Sequence, residues 1–239
     1  MRAALWLIIL LVVVRKVSAQ VCAGLQPGGT TLVATGARYT YATAVGAAVT
    51  TGRRPSVTLG LGLTRDTELV ASTYDVLANV SYDIRVTPRS PVFFCPAATL
   101  GLSYGPKDFL LLGGRYVYHD AALGVGAALR ALSTPPLSVT AYGHVRYSRL
   151  AVRFVPDSAN RAGNVPGWLH TDWYGRFDVG VGFVFGNRVA LRPGFTVPWG
   201  FNPVGNDPLG FIVPFGREDH ELSPNLSIGV RLGGQTARR

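Results

Sequence analysis

A closed antiparallel β-barrel that crosses a membrane is the fold class this sequence predicts. Three observations predict it: long stretches of period-two alternation, an export-type N-terminus, and connections that alternate short and long. In the stretch Trp173–Gly186, Trp173, Phe177, Val179, Val181, Phe183 and Phe185 form one row, and Tyr174, Arg176, Asp178, Gly180 and Gly182 form the other. Alternation over such a length marks a strand. These strands run to about ten residues, the length a tilted strand needs to cross a bilayer. In such a barrel the apolar row faces lipid and the polar row lines the interior, the inverse of a soluble sheet.

In chain order, the first element is the N-terminus. Arg2 precedes an unbroken apolar run, Ala3–Val14, and Val17, Ser18 and Ala19 follow it. A spanning helix needs about 20 apolar residues, so this run is too short. Its order of charge, apolar run and small residues reads as a secretory signal peptide, residues 1–19, cut after Ala19. An anchor that is never cut is the alternative. Residues 20–239 then form a single outer-membrane barrel domain.

The strands follow. Ten are expected, at 30–35 with a turn at Gly36, then 38–50, 54–65, 72–86, 96–104, 121–131, 136–150, 172–186, 188–198 and 222–232; eight remain if two weak ones fail. An even number keeps both ends of the chain on one side. The segment 107–118, KDFLLLGGRYVY, fits a short helix, an irregular loop or a strand extended above the membrane. Connections such as TTGRRP, ALSTPPL and FGN are short, whereas those around 105–120, 151–172 and 198–224 are long. Short turns face the periplasm in such barrels. Tyr74, Tyr104, Tyr147, Trp173 and Trp199 then fall at the outer strand ends, and Tyr82 and Phe185 at the inner ends. Two interfacial aromatic belts have that arrangement.

Composition narrows the partners. Glycine numbers 29, charged residues make up 15%, and the mean hydropathy is +0.24. Removing residues 1–19 takes three cations and no acid, lowering the formal charge from +10 to +7. Lys107 is then the sole lysine, so the positive charge is arginine, spread along the chain. Spread charge on an exported chain argues against nucleic acid. Arginine's planar fork suits phosphate, so outer-membrane lipids, lipopolysaccharide among them, are the expected partners. The two cysteines, Cys22 and Cys95, would meet an oxidising compartment and form a disulfide, tying the N-terminus to the turn around FFCP.

The polar rows carry Asp75, Asp83, Arg85, Arg146, Arg176, Asp178, Arg188, Arg192 and Arg231. Interior charges must be paired, so these are expected to plug a lumen that has little free bore; a narrow channel favouring anions is the other reading. Catalysis finds little support. His144 and Ser148 share a row but stand about 13 Å apart along a strand, too far for a nucleophile and its base. Asp172 and Asp178 are about 20 Å apart on the same grounds. Arg217–Glu221, REDHE, holds His220 and lies in the longest loop, where it reads as a solvated stretch or a weak cation site. The pair His144 and Asp178, on separate strands, stays open. No catalytic set, metal site or cofactor is expected.

With its export signal, hairpin alternation, loop asymmetry and terminal strand LSIGVRL, the chain resembles the small outer-membrane β-barrel proteins of Gram-negative-type bacteria, the OmpA- and OmpW-like group. The resemblance spans nearly the whole mature chain and concerns architecture. It implies an outer-membrane location and recognition by the barrel-insertion machinery. Members tend to end on an aromatic residue; here the last strand ends at Leu232, before a polar tail. The functional expectation is a structural or surface-interaction protein with long external loops. A narrow pore or carrier for small, anionic solutes is the alternative, and a membrane-embedded lipid hydrolase ranks third.

Overall fold

The computed structural model describes residues 21–25, 29–38, 42–51, 55–66, 72–107, 114–134, 136–157, 168–186, 188–199 and 223–232. The expected signal segment and the REDHE stretch lie outside them. Eleven strands form: β1 Thr30–Arg38, β2 Ala42–Thr51, β3 Ser56–Asp66, β4 Ser72–Ser81, β5 Ile84–Arg85, β6 Val92–Lys107, β7 Gly114–Thr134, β8 Leu137–Pro156, β9 Trp168–Phe185, β10 Val189–Trp199 and β11 Ser223–Leu232. Each pairs antiparallel with its neighbour, β1 pairs with β11, and β4 pairs with β6. The ladder is therefore closed and contains ten wall strands. The two-residue β5 continues the line of β4 and pairs with the start of β6. Closure leaves no sheet edge.

The outward rows are apolar. Leu61 is 67% exposed and Leu123 73%, and Val45, Leu59, Val76, Leu100, Phe177, Val179, Ile228 and Val230 are exposed with them. The inward rows are small or polar, and Thr31, Thr50, Thr64, Thr99, Thr140, Ser148, Asp178, Thr196 and Ser227 are buried. On β8 the outward apolar positions from Val139 to Tyr147 extend roughly 26 Å at about 3.3 Å per residue. At a tilt of about 40° that becomes roughly 20 Å of height, close to the ~25 Å apolar band of a barrel in a bilayer.

Several expected bounds change. Gly36 is not a turn: it pairs with Val45 and Leu226 in mid-ladder, and β1 runs on to Arg38. Gly36 has no Cβ to signal a face, so the sequence pattern stops short of the true end. Strands β6 to β9 are longer than expected, and residues 114–118 of the ambiguous segment belong to β7. Their ends break the alternation, with apolar residues in both rows at Val92–Cys95 and arginines on the outward row of β8 at Arg149 and Arg153, so the pattern gives no clean contrast there. The rest of that segment, 108–113, lies outside the described residues. Residues 39–41, 67–71, 108–113, 157–167 and 200–222 connect strands at one end of the barrel. The other end holds the shorter connections, 52–55, 86–91, 135–136 and 186–188, together with Thr30 and Leu232, which pair there.

A candidate functional site inside the barrel

The interior is filled at the end where β1 begins and β11 ends. Residues 21–25, ahead of β1, form a turn closed by the Gly24 N–H donating to the Val21 carbonyl. Val21, Cys22 and Leu25 are buried there. Cys22 and Cys95 form a disulfide. The expected pairing is therefore present, but its position is different. Cys95 lies within β6, on the inward row beside Phe93, not in a turn. Three more contacts hold the segment. The Val21 N–H donates to the buried Asp83 carboxylate. The His144 ring Nε2 lies 2.6 Å from the Cys22 carbonyl oxygen. Gly24, at φ +64°, passes so close to β9 that a Cβ on Gly182 would fall 2.2 Å from the Gly24 carbonyl oxygen.

Above and beside this plug runs a charged network on β7 to β11. Asp178 accepts from Arg146 at 2.5 Å, from Arg176 Nε at 2.9 Å and from the Thr196 hydroxyl at 2.6 Å. Asn225 donates to the same threonine at 3.2 Å. The Arg192 guanidinium lies 5.2 Å from the Tyr142 ring centroid. Arg85 and Arg130 flank the buried Phe93 ring at 5.1 and 5.4 Å. Arg231 is on the inward row of β11, against Gly29. Asp75 accepts from the Thr64 hydroxyl at 3.0 Å.

Of the charged residues assigned to the interior by alternation, Arg188 is the exception. It stands exposed in the turn between β9 and β10, and its carbonyl accepts from the Arg231 N–H. Gly186, at φ +54°, starts that turn one residue after β9 ends, and the inward row stops there. His144 and Asp178 are cross-strand partners, as the open reading allowed, but Asp178 is engaged by the arginines and His144 by the plug. Sequence reasoning missed Arg130 and Phe93 as interior residues; Tyr142 falls on the polar row of its strand, and the structure buries it. Arg130 could have been found by counting in twos from Gly126 and Ala128. The plug itself has no such signal, because five turn residues have no period.

Outside, Tyr74, Tyr104, Tyr147, Trp173 and Phe185 are exposed. Tyr147 and Trp173 stack with centroids 5.2 Å apart. Tyr82 is half-buried in the break between β4 and β5, and Trp199 ends β10. His119 faces outward, and no helix among the described residues is long and apolar enough to cross a membrane.

An inverted, closed, even-numbered barrel of this kind is the architecture of outer-membrane β-barrel proteins. Among solved structures, the chain is similar to the N-terminal β-barrel domain of Pseudomonas aeruginosa OprF, with 12% identity over 87% of this chain and 100% of that one, at a TM-score of 0.33. It is also similar to the translocator domain of the autotransporter NalP from Neisseria meningitidis, with 13% identity over 88% of this chain and 91% of that one, at a TM-score of 0.42. No protein-family model matches the sequence, and no curated protein matches it.

Proposed function

We propose that this protein is a resident of the bacterial outer membrane, exported through a cleaved signal peptide. Its barrel is shut by its own N-terminal segment, and its work is done at the surface it presents rather than through its lumen. The observation that supports a closed barrel is the disulfide-anchored segment 21–25 lying among inward side chains. The short connections and both strand termini share one end, which by the habit of such barrels faces the periplasm. The longer connections then face outward. Single-channel current across a planar bilayer tests the reading: the refolded, oxidised chain gives no discrete steps. Regular steps would refute it.

A second reading has one observation in its favour. Among the residues whose side chains are described, six inward arginines, Arg85, Arg130, Arg146, Arg176, Arg192 and Arg231, stand against Asp75, Asp83, Asp120 and Asp178, a surplus around the plug that would favour anions. It predicts current steps that carry chloride in preference to potassium. The protein is proposed to be non-catalytic, since the His144 ring and the Asp178 carboxylate are already engaged. Incubation with lipopolysaccharide or phospholipid, followed by mass analysis, should return the lipids unchanged.

A further inference from the structure

Among the described residues, the outward rows carry charge at one end only, and of one sign. On β1 the row Leu32, Ala34, Gly36 ends in Arg38; on β3 the row Leu59, Leu61, Leu63 ends in Arg65. On β7, Arg115 lies one outward position beyond Val117, and on β8 Arg149 lies one beyond Tyr147, followed by Arg153. All five arginines are exposed, and no aspartate or glutamate stands on the outward rows of these four strands. Each begins where the apolar band stops. All lie at the end with the long connections, opposite Thr30 and Leu232. At the other end the outward rows finish on uncharged residues: Val57, Val92, Phe185, Val189 and Leu232.

Two of these guanidiniums rest on the aromatic row beneath them. Arg115 lies 5.5 Å from the Tyr104 ring centroid and donates to its hydroxyl at 2.9 Å; Arg149 lies 5.9 Å from the centre of Trp173. Rings under the alkyl and guanidinium planes hold the charges at a fixed height just past the apolar band. Arg38 and Arg65 both pair across β2 with Thr43, which puts them about 10 Å apart at two strand spacings. Separated cations at one height suit an array of anions in a plane, and the fork of arginine donors suits phosphate.

We propose that this one-sided arginine girdle is a docking surface for phosphorylated glycolipid in the leaflet at the long-connection end, with the phosphates received by Arg38, Arg65, Arg115, Arg149 and Arg153. The inference rests on the bilayer-spanning reading above. It adds which leaflet chemistry the wall recognises and where. The girdle also sets the barrel's height and direction, because only one leaflet supplies the matching charge.

Purified lipid A is titrated into the folded chain in uncharged detergent micelles and followed by native mass spectrometry. Dephosphorylated lipid A and inorganic phosphate are run beside it. Replacing all five arginines with glutamine weakens lipid A binding at least tenfold. Arg89→Gln with Arg188→Gln, at the opposite end, leaves it within twofold. Dephosphorylated lipid binds no better to the parent chain than to the five-fold variant. Undiminished binding by the five-fold variant overturns the proposal, as does equal affinity for the dephosphorylated lipid. Inorganic phosphate bound as tightly as the lipid overturns the lipid as occupant. A heat-dependent gel shift verifies that the five-fold variant is folded; if it is not, Arg149→Gln with Arg153→Gln replaces it, with a threefold loss expected and no loss overturning. Flotation with uncharged phosphocholine vesicles is a separate arm. A parent chain that fails to float refutes the bilayer reading itself, whatever the micelle titration shows.

Discussion

Replacing Cys22 and Cys95 together with serine should free the plug without unfolding the barrel. Burying Val21, Cys22 and Leu25 contributes about 2 kcal/mol each, nearer 5 in all once the smaller cysteine is allowed for. The bonds to Asp83 and His144 add about 3 kcal/mol together, one being charged. Ordering five backbone residues costs about 1.5 kcal/mol each, or roughly 7. The non-covalent balance is therefore close to zero, and the disulfide decides the outcome. The loop that matters is not the 73-residue separation between the cysteines. It is the short tether from Cys22 to Thr30, where β1 begins, about eight residues long. Closing a loop of that length is worth about 2.5 kcal/mol, or roughly 70-fold in the closing equilibrium. Hydrogen exchange of the amides of residues 21–25, in the folded protein, reads this directly. Protection should drop by about 50- to 100-fold in the double serine variant, while the β7–β9 amides stay protected. If residues 21–25 exchange within threefold of their original rate, the non-covalent contacts hold the plug alone and the reasoning is wrong.

Other perturbations follow from the same geometry. Gly182→Ala puts a methyl into the Gly24 carbonyl and should push Gly24 and Leu25 off β9 while Cys22 stays tethered, seen as lost amide protection at residues 24–25; Gly36→Ala, with open space around it, should change stability by less than about 0.5 kcal/mol. Asp178→Asn leaves Arg146 and Arg176 facing each other without their shared carboxylate. Both are partly exposed, so a loss of about 1–3 kcal/mol in denaturant unfolding is expected, below the 3–5 typical of a fully buried pair. Thr196→Val should cost about 1 kcal/mol in the same measurement. Leu61→Arg puts a charge in the middle of the outward apolar band and should destabilise the barrel in lipid vesicles by about 2–4 kcal/mol. If it is tolerated as well as a substitution at Arg89, the outward face does not meet hydrocarbon.

What the sequence made legible was whatever alternates. The inward and outward assignments of Tyr74 and Asp75, Phe177 and Asp178, or Leu226 and Ser227 all follow from period two, and the structure has each on the expected side. Closure was also legible, because strand number and paired termini are coupled. Legibility ended where contrast ended. Beyond Tyr147 on β8 the pattern inverts, since Arg149 and Arg153 take the row that had been apolar while the residues between them are largely apolar, so residues 151–156 of that strand could not be told from loop. Arg188 was misassigned because counting in twos ignores the turn at Gly186. The plug was hidden for a different reason: its evidence is long-range. Only the register brings Asp83, Cys95 and His144, on three separate segments, to one level of the lumen.

The plug also answers a volume question that the wall alone leaves open. Ten strands enclose a wider interior than eight, and the inward rows of β1 to β3, up to Thr64, are built from threonine, serine, glycine, alanine and valine. Such a wall cannot fill the bore. The bulky inward side chains instead come from β8, and glycines on the neighbouring strands make room for them. A Cβ on Gly126 would fall 2.4 Å from the His144 ring and one on Gly180 2.5 Å from the Tyr142 hydroxyl. Tyr142 and His144 in turn meet Gly24 and the Cys22 carbonyl. The packing therefore runs wall glycine, wall ring, plug backbone, with no layer that could shift independently. Removing the plug takes away the surface those rings rest on. Tyr142 and His144 should then gain rotameric freedom even though both remain on an intact strand. Side-chain NMR of the double serine variant would reveal this as averaged ring signals for these two residues, with Phe154, on the same strand but far above the plug, unchanged.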